Sequence, residues 1–441
     1  MKSIFLLLCA LLALATPAKA EETERDTYRH LETFANVLSI LQNNYVEPVD
    51  SEKVIEGAIK GMLASLDPHS SYMRPEDLKE LQVETKGSFT GIGVEITIKD
   101  NVITVVSPIE GTPAYAKGIK AGDKILKIGD ESTQDMSLTD AVKRLRGEKG
   151  SEVTITIMRE GRGETEEITL TRDVIPLQSV KALMLDNDYA YARITNFQAK
   201  TAGDLAAAID GLGKSATIKG LILDLRNNPG GLLDQAVRVA DLFLEEGIIV
   251  STKGRLEDQT VVYRAHSSGT NYRFPMIALV NEGSASASEI VAGALKDQKR
   301  AIILGVQTFG KGSVQTIIPM HNGAGLRLTT ALYYTPDGTS IQATGIVPDI
   351  EVENQPVVET IASPDDKVLR ERDLKRHLEN EQETAPQENV EPTEQIPGEE
   401  EPGQPVPMPV TAETVAQDQQ LYTALLILKG VNVFGTLQEG D

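Results

Sequence analysis

The sequence predicts a multidomain α/β protein: an N-terminal helical segment, a β-rich domain ahead of an α/β core, and an acidic low-complexity linker with a terminal helix. Two observations carry this. Apolar residues recur every three or four positions before Glu84, alternate every second position from Gly87, and gather into continuous runs between amphipathic stretches from Glu164 onward. Beyond Glu353 this periodicity stops, and Glu, Gln and Pro dominate to about Thr414.

The first twenty residues join Lys2 to an apolar stretch, Ile4 to Leu14, and a small-x-small ending, Ala18-Lys-Ala20. This is the pattern of a cleaved signal peptide over residues 1–20, and the apolar stretch is short for a bilayer span. The expected location is therefore exported and periplasmic, with any membrane association made through a partner. The single cysteine, Cys9, lies inside the apolar stretch behind bulky Leu8 and is expected to leave with the signal. The mature fold then rests on its core rather than on disulfides. With 43 basic against 65 acidic residues the net charge is −22, which argues against nonspecific nucleic-acid binding.

Residues 21–86 read as helical. Leu31, Phe34, Leu38, Leu41 and Tyr45 form one stripe and Ile55, Ile59, Met62 and Leu66 another, with Pro48-Val-Asp50-Ser51 separating and capping them. The stripes suit either packing within their own domain or a dimer seam.

In residues 87–163, Val94, Ile96 and Ile98 alternate with Glu95, Thr97 and Lys99, so one strand face is buried and the other wet. Thr90-Gly-Ile-Gly93 precedes this strand, the segment Gly118 to Ile128 follows, and Ser137 opens a helix with Leu138, Val142 and Leu145. Together these resemble a PDZ domain. The resemblance implies that Gly91, Ile92, Gly93 and Val94 border a groove where an extended peptide adds as a strand and its terminal carboxylate meets free amides. Arg146, after the helix, is a candidate regulatory residue coupling groove occupancy to the core, with a solvated charge as the alternative.

Residues 164–352 alternate strands and helices. The run Gly220-Leu-Ile-Leu-Asp-Leu225 suits a strand buried on both faces, followed by Asn227-Asn-Pro-Gly-Gly231 and a helix with Leu233, Ala236, Val237, Ala240 and Leu244 on one face. Met276 to Val280 and Ala301 to Leu304 read as core strands around a helix from Ser286 to Lys296, and Leu326 to Tyr334 as a later strand. Residues 353–414 read as a solvated linker, interrupted by one helical stretch from Lys367 to Glu381. In residues 415–441, Leu421, Leu425 and Leu428 mark a helix that docks on its own chain or on a twin.

The chemistry concentrates in two segments, Gly283-Ser-Ala-Ser-Ala-Ser-Glu-Ile290 and Thr308-Phe-Gly-Lys-Gly-Ser-Val-Gln315. A serine hydroxyl needs a neighbour to take its proton, either histidine or a lysine made neutral by burial. None of the five histidines lies in an evident catalytic turn, and His69 in Asp67-Pro-His-Ser-Ser71 reads as structuring its loop. Lys311, between Gly310 and Gly312 at the entrance to an apolar strand, is the candidate base, because desolvation lowers a lysine's pKa. Gln315 stands an even number of residues further on, where a strand would put both side chains on one face. Ser286 sits near a helix N-terminus, which favours developing negative charge. Ser284 is a candidate cap and Ser288 points along the helix, while Glu289 reads as a capping residue. The Ala287 amide and Gly230-Gly231 can supply oxyanion donors.

With Asp224-Leu-Arg-Asn-Asn-Pro-Gly-Gly231 added, these segments resemble the carboxyl-terminal processing peptidases, also called tail-specific proteases. The resemblance implies a serine endopeptidase with Ser286 as nucleophile, Lys311 as base and Gln315 as its partner, and oxyanion amides at Ala287 and Gly231. It implies no metal or organic cofactor, and substrates that are unfolded or flexible protein C-termini. It further implies a homo-oligomer formed through the N- and C-terminal helices, and an activating adaptor protein. Two rivals are a noncatalytic PDZ scaffold of the envelope and a serine hydrolase that uses His69.

Overall fold

The computed structural model describes residues 18–99, 101–134, 136–159, 165–186, 188–256, 259–267, 272–353, 370–373, 377 and 418–438. The expected signal peptide up to residue 17, Cys9 included, and nearly all of the expected linker lie outside the described residues. The chain forms two bodies, Met1–Leu66 and Asp67–Asp441.

The first body contains helices α1 (Ala18–Asn44) and α2 (Ser51–Ala64). Asp50 caps α2, accepting from the Glu52 and Lys53 amides at 3.0 and 3.2 Å. Leu31, Phe34, Leu41, Ile55, Met62 and Leu66 are all exposed, and among the described residues Leu63 is the buried hydrophobic residue here. Most of each apolar stripe read from the sequence is therefore exposed, while Leu38 and Ile59 are half-buried.

The second body opens with β1 (Ser71–Met73) and α3 (Pro75–Lys86). The β-rich domain follows, with β2 (Ser88–Gly91), β3 (Val94–Lys99), β4 (Val102–Pro108), α4 (Pro113–Ala116), β5 (Lys124–Ile128), β6 (Glu131–Ser132), α5 (Leu138–Leu145), β7 (Glu152–Met158), β8 (Thr165–Thr171) and β9 (Asp173–Pro176). Its core gathers Ile92, Ile103, Val105, Ile125, Ile155, Ile157 and Leu170. The expected alternation in β3 fades along the strand, and Ile98 is exposed.

The α/β core contains β10 (Val180–Leu185), β11 (Tyr189–Ile194), α6 (Thr201–Ser215), β12 (Gly220–Asp224), α7 (Leu233–Asp241), β13 (Ile248–Gly254), β14 (Val261–Arg264), β15 (Met276–Val280), α8 (Ala287–Asp297), β16 (Ile302–Gly305), β17 (Ser313–Pro319), β18 (Gly325–Tyr334) and β19 (Ile350–Glu351). One sheet runs β10-β11-β12-β15-β16-β19, parallel except for the β10 edge. β12 and β15 are buried at every position, as their continuous apolar runs predict. A second sheet runs β1-β18-β13-β14, with β17 paired to β18. Helix α9 (Gln419–Gln438) lays Leu421, Ala424, Leu425 and Leu428 onto the first sheet beside Ile222, Ile277 and Leu304. The terminal helix thus docks on its own chain.

Three sequence expectations need correction. Thr165–Thr171 was expected to open the core, but it pairs antiparallel with β7, Glu152 opposite Thr171, and closes the β-rich domain instead. Ser71–Met73 was expected in the N-terminal helical region, but it pairs with β18 at the edge of the core, Ser71 opposite Arg327. The partner of Ser71–Met73 lies far along the chain, where no local pattern reveals it, whereas Thr165–Thr171 pairs with the strand just before it, so the expected boundary cut a hairpin. The third correction concerns the linker: Glu371–Asp373 forms a short 3₁₀ turn and Glu371 is fully buried.

Candidate active site

Ser286 stands at the turn between β15 and α8, in the sharply constrained backbone conformation φ 54°, ψ −112°. A non-glycine residue held there costs about 1–3 kcal/mol and persists only where the surroundings impose it. The surroundings do so from several sides. The Ser286 amide donates to Glu289 Oε2 at 2.8 Å, the Ala285 amide to the Asn228 carbonyl at 3.0 Å, and Ser288 Oγ to the same carbonyl at 2.9 Å. Ser284, a candidate cap in the sequence, instead donates its hydroxyl to the Leu225 carbonyl at 2.8 Å and accepts from the Asn281 amide at 3.0 Å. It therefore ties the turn to the end of β12.

The Asn227–Gly231 turn lies directly against Ser286. A Cβ on Gly230 would come within 2.8 Å of Ser286 Cβ, and Gly230 and Gly231 both adopt positive φ, at 106° and 137°. Buried Asn228 braces the turn: its Nδ2 donates to the Ile194 carbonyl at 2.8 Å and its Oδ1 accepts the Gly230 amide at 2.9 Å. Phe197 pairs in parallel with Gly231, through Gly230 O at 2.8 Å and the Leu232 amide at 2.8 Å. The Gly231 amide is thereby left facing away from Phe197. Among the described residues neither the Gly231 nor the Ala287 amide donates to a protein acceptor. The Ala287 amide follows Ser286 directly, and the Gly231 amide follows the glycine that packs against Ser286.

Lys311 belongs to the loop before β17. Burial lowers its pKa below the ordinary 10.5, opposed by the charges of Glu371, Glu289 and Asp67 and reinforced by Arg327. Among the described residues no hydrogen bond joins its amine to Ser286, whose side chain lies within hydrogen-bonding reach of the buried Tyr333 phenol. The strand geometry expected for Lys311 and Gln315 needs correction. β17 begins only at Ser313, and its pairing with β18 shifts register between Val314 and Gln315, so an even sequence separation does not fix their relative faces. Gln315 Nε2 donates to Ser313 Oγ and Thr329 Oγ1, both at 3.1 Å, while its buried Oε1 has no partner among the described residues. Among the described residues an unoccupied acceptor is thus left on the strand that follows the Lys311 loop.

Glu289 does more than the capping inferred from sequence. It is fully buried, and its carboxylate accepts from the Ser286 amide at 2.8 Å, the Gly310 amide at 2.7 Å, the Lys311 amide at 2.9 Å and Thr308 Oγ1 at 2.6 Å. One side chain therefore binds the serine turn to the lysine loop. Burial raises its pKa to about 7, with all four donors opposing the rise. The capping spacing from Ser286 was visible in the sequence; the contribution of a loop some twenty residues later was not.

His69 points its Nε2 at both Glu371 oxygens, at 2.7 and 2.8 Å, and its loop is ordered by Asp67 Oδ1, which accepts the His69 and Ser70 amides, each at 2.8 Å. No hydrogen bond links His69 to Ser286 among the described residues. The expected loop-structuring role fits this geometry better than a serine–histidine pairing does. Among the described residues no group of three or more His, Cys, Asp or Glu side chains could hold a metal ion.

In the β-rich domain, Gly91, Ile92, Gly93 and Val94 line a cavity of about 100 Å³ with Phe89, Ile96, Val142, Leu145 and Arg146. The Ile92 and Gly93 amides donate to no acceptor among the described residues. Arg146 packs its guanidinium over the Phe89 ring at 4.9 Å, and its buried Nε has no hydrogen-bond partner among the described residues. The arginine singled out after α5 thus borders the groove itself.

Comparison with known proteins agrees with this layout. Residues 12–77 match the family model of the activating protease CtpB N-terminal domain, residues 80–158 that of the PDZ domain, and residues 188–352 that of peptidase family S41. Over 364 residues the chain is 48% identical to the carboxy-terminal-processing protease of Bartonella bacilliformis, spanning 82% of this chain and 83% of that one. It is 40% identical over 337 residues to the carboxyl-terminal-processing protease of Synechocystis, 74% of this chain and 78% of that one. It is 39% identical over 314 residues to the carboxy-terminal processing protease CtpA of Bacillus subtilis, 71% of this chain and 67% of that one.

Proposed function

Because the chain belongs to the carboxy-terminal-processing protease family, we propose that it is an exported serine endopeptidase that holds an unstructured protein C-terminus in its PDZ groove and cleaves near that end. The observation that carries the reading is the convergence at Ser286: a strained turn, two undonated amides at Gly231 and Ala287, and a desolvated lysine on a loop bound to the same turn through Glu289.

In this reading neutral Lys311 takes the Ser286 hydroxyl proton as the oxygen attacks the peptide carbonyl. The oxyanion accepts from Gly231 and Ala287, and Lys311 returns the proton to the departing amine. Water, deprotonated by the same lysine, then hydrolyses the acyl-enzyme. Gln315 Oε1, buried and without a partner among the described residues, is the acceptor that aims the amine. The lack of a hydrogen bond between the amine and Ser286 among the described residues supports a resting site, and occupancy of the groove beside Arg146 is the proposed signal that brings them together. The largely exposed stripes of α1 and α2 and the exposed Tyr422, Leu426 and Phe434 of α9 support self-association. The match to an activating protease's N-terminal domain supports a requirement for an adaptor protein.

The test is turnover of an unfolded protein with a free apolar C-terminus, followed by intact-mass analysis. Ser286→Ala and Lys311→Ala should each lose at least about 1,000-fold in kcat while still binding the C-terminal peptide. Near-normal cleavage by Lys311→Ala would remove lysine from the base role. Peptide binding with no cleavage by the wild type, under conditions where it is assembled with its partners, would leave a tail-binding scaffold.

A further inference from the structure

The peptidase fold ends near Glu351, yet a residue from well beyond it is fully buried against the lysine loop. Glu371 makes three kinds of contact there. Its amide donates to the Phe309 carbonyl at 3.2 Å, its Oε1 accepts Gln342 Nε2 at 2.9 Å, and His69 Nε2 meets both carboxyl oxygens. Gln342, itself fully buried, spends its remaining amide oxygen on the Gly312 amide at 3.0 Å. The segment Phe309–Gly312 is thus gripped at both ends by one residue, directly at Phe309 and through Gln342 at Gly312. Lys311 lies between those grips.

Burying a carboxyl is costly unless it is paired and hydrogen-bonded, so an apolar side chain would anchor this turn as well if anchoring were the whole task. We propose that Glu371 is a positioning residue for the proton-transfer step, fixing the Phe309–Gly312 loop through Gln342 and presenting a carboxylate to the Lys311 side chain. The inference rests on the reading of Lys311 as the base.

The charges facing Lys311 are Glu371, Glu289, Asp67 and Arg327, and Glu371 is the largest of those that oppose the effect of burial. The groups facing Glu371 are His69 from the β1 approach and Lys311, with Arg370, Arg372 and Asp373 on its own turn. Removing the carboxylate charge while keeping the side-chain shape should let Lys311 shed its proton at lower pH. Removing the side chain should also loosen the loop.

The experiment compares the pH profile of kcat/KM for wild type, Glu371→Gln and Glu371→Ala, with Lys311→Ala as control and full-length protein throughout. Glu371→Gln should move the rising limb to lower pH by about half a unit or more, with a plateau within about threefold of wild type. Glu371→Ala should lower the plateau about tenfold or more, since a loosened base loop misplaces the amine. A Glu371→Gln profile that superimposes on wild type, with Lys311→Ala inactive, overturns the inference and leaves the serine–lysine reading intact. An active Lys311→Ala overturns both. Should Glu371→Ala fail to fold, the Glu371→Gln profile alone decides.

Discussion

At the scale of single residues, the site depends on donors converging on acceptors that sequence neighbours do not reveal. Glu289 takes four hydrogen bonds in a fully buried position. Glutamine at this position keeps the shape but offers one acceptor oxygen and turns two N–H groups toward existing donors. Glu289→Gln should therefore cost roughly 3 kcal/mol by denaturant unfolding, since each orphaned buried donor costs about 1–3 kcal/mol. It should also cost about 100-fold in kcat, because both the nucleophile turn and the base loop lose their common anchor. A variant matching wild type in both measurements would show that the carboxylate is dispensable. The pH dependence also belongs to this scale. Burial holds the Lys311 pKa below its ordinary 10.5, and only the neutral amine accepts a proton. Thus kcat/KM should rise with pH and level off below 10.5, the limb disappearing in Lys311→Ala. Ser286, Lys311 and Gln315, the proposed catalytic set, could be singled out because their residue types and company are rare, whereas Tyr333 and Glu371 carry no local signature of their proximity to Ser286 and the Lys311 loop.

Whole elements were legible to the extent that their burial is local in origin. β12 and β15 announce themselves as unbroken apolar runs because both faces are covered, α7 follows as an amphipathic helix, and α8 is buried on every face from Ala287 to Leu295. β1 fell in the region read as helical because its partner, β18, lies far along the chain, while β8 was misassigned because the expected boundary at Glu164 cut the β7–β8 hairpin. The Asn227–Gly231 turn shows the same division. Its glycines announce a turn, while the side chain that makes it rigid, Asn228, looks unremarkable in sequence. Asn228 bridges Ile194 and Gly230 from a fully buried position. Asn228→Ala should cost about 2 kcal/mol through the two partners it abandons. Because the freed turn carries the proposed oxyanion amide, kcat should fall about tenfold or more with KM little changed. Equal losses in kcat and in stability-matched controls elsewhere in the core would indicate general loosening rather than a lost oxyanion donor.

At the scale of the molecule, the catalytic core is completed by the far end of the chain. α9 covers the open face of the main sheet with Leu421, Ala424, Leu425 and Leu428, and its first turn reaches the site indirectly. Arg226, which leads into the Asn227–Gly231 turn, is clamped by Asp224 at 2.7 Å and by Asp418 at 2.7 Å, with Gln420 Oε1 accepting from Nη1 at 3.0 Å. Asp224 is fully buried and is held below the usual carboxylate range against its own burial, chiefly by the charge of Arg226. Removing Asp418 leaves a nearly buried guanidinium with its second carboxylate missing, the situation in which breaking a pair costs more than the pair contributes. Asp418→Ala should therefore lower stability by about 2–3 kcal/mol with α9 still docked by its apolar face. Deleting residues 415–441 should lower it further by several kcal/mol, as three leucines and an alanine lose their burial against the sheet. If the clamp also sets the oxyanion turn, Asp418→Ala should reduce kcat, and the deletion, which removes Asp418 as well, should reduce it at least as far. A truncated chain with the denaturation midpoint and kcat of the full-length protein would mean that the terminal helix serves assembly alone.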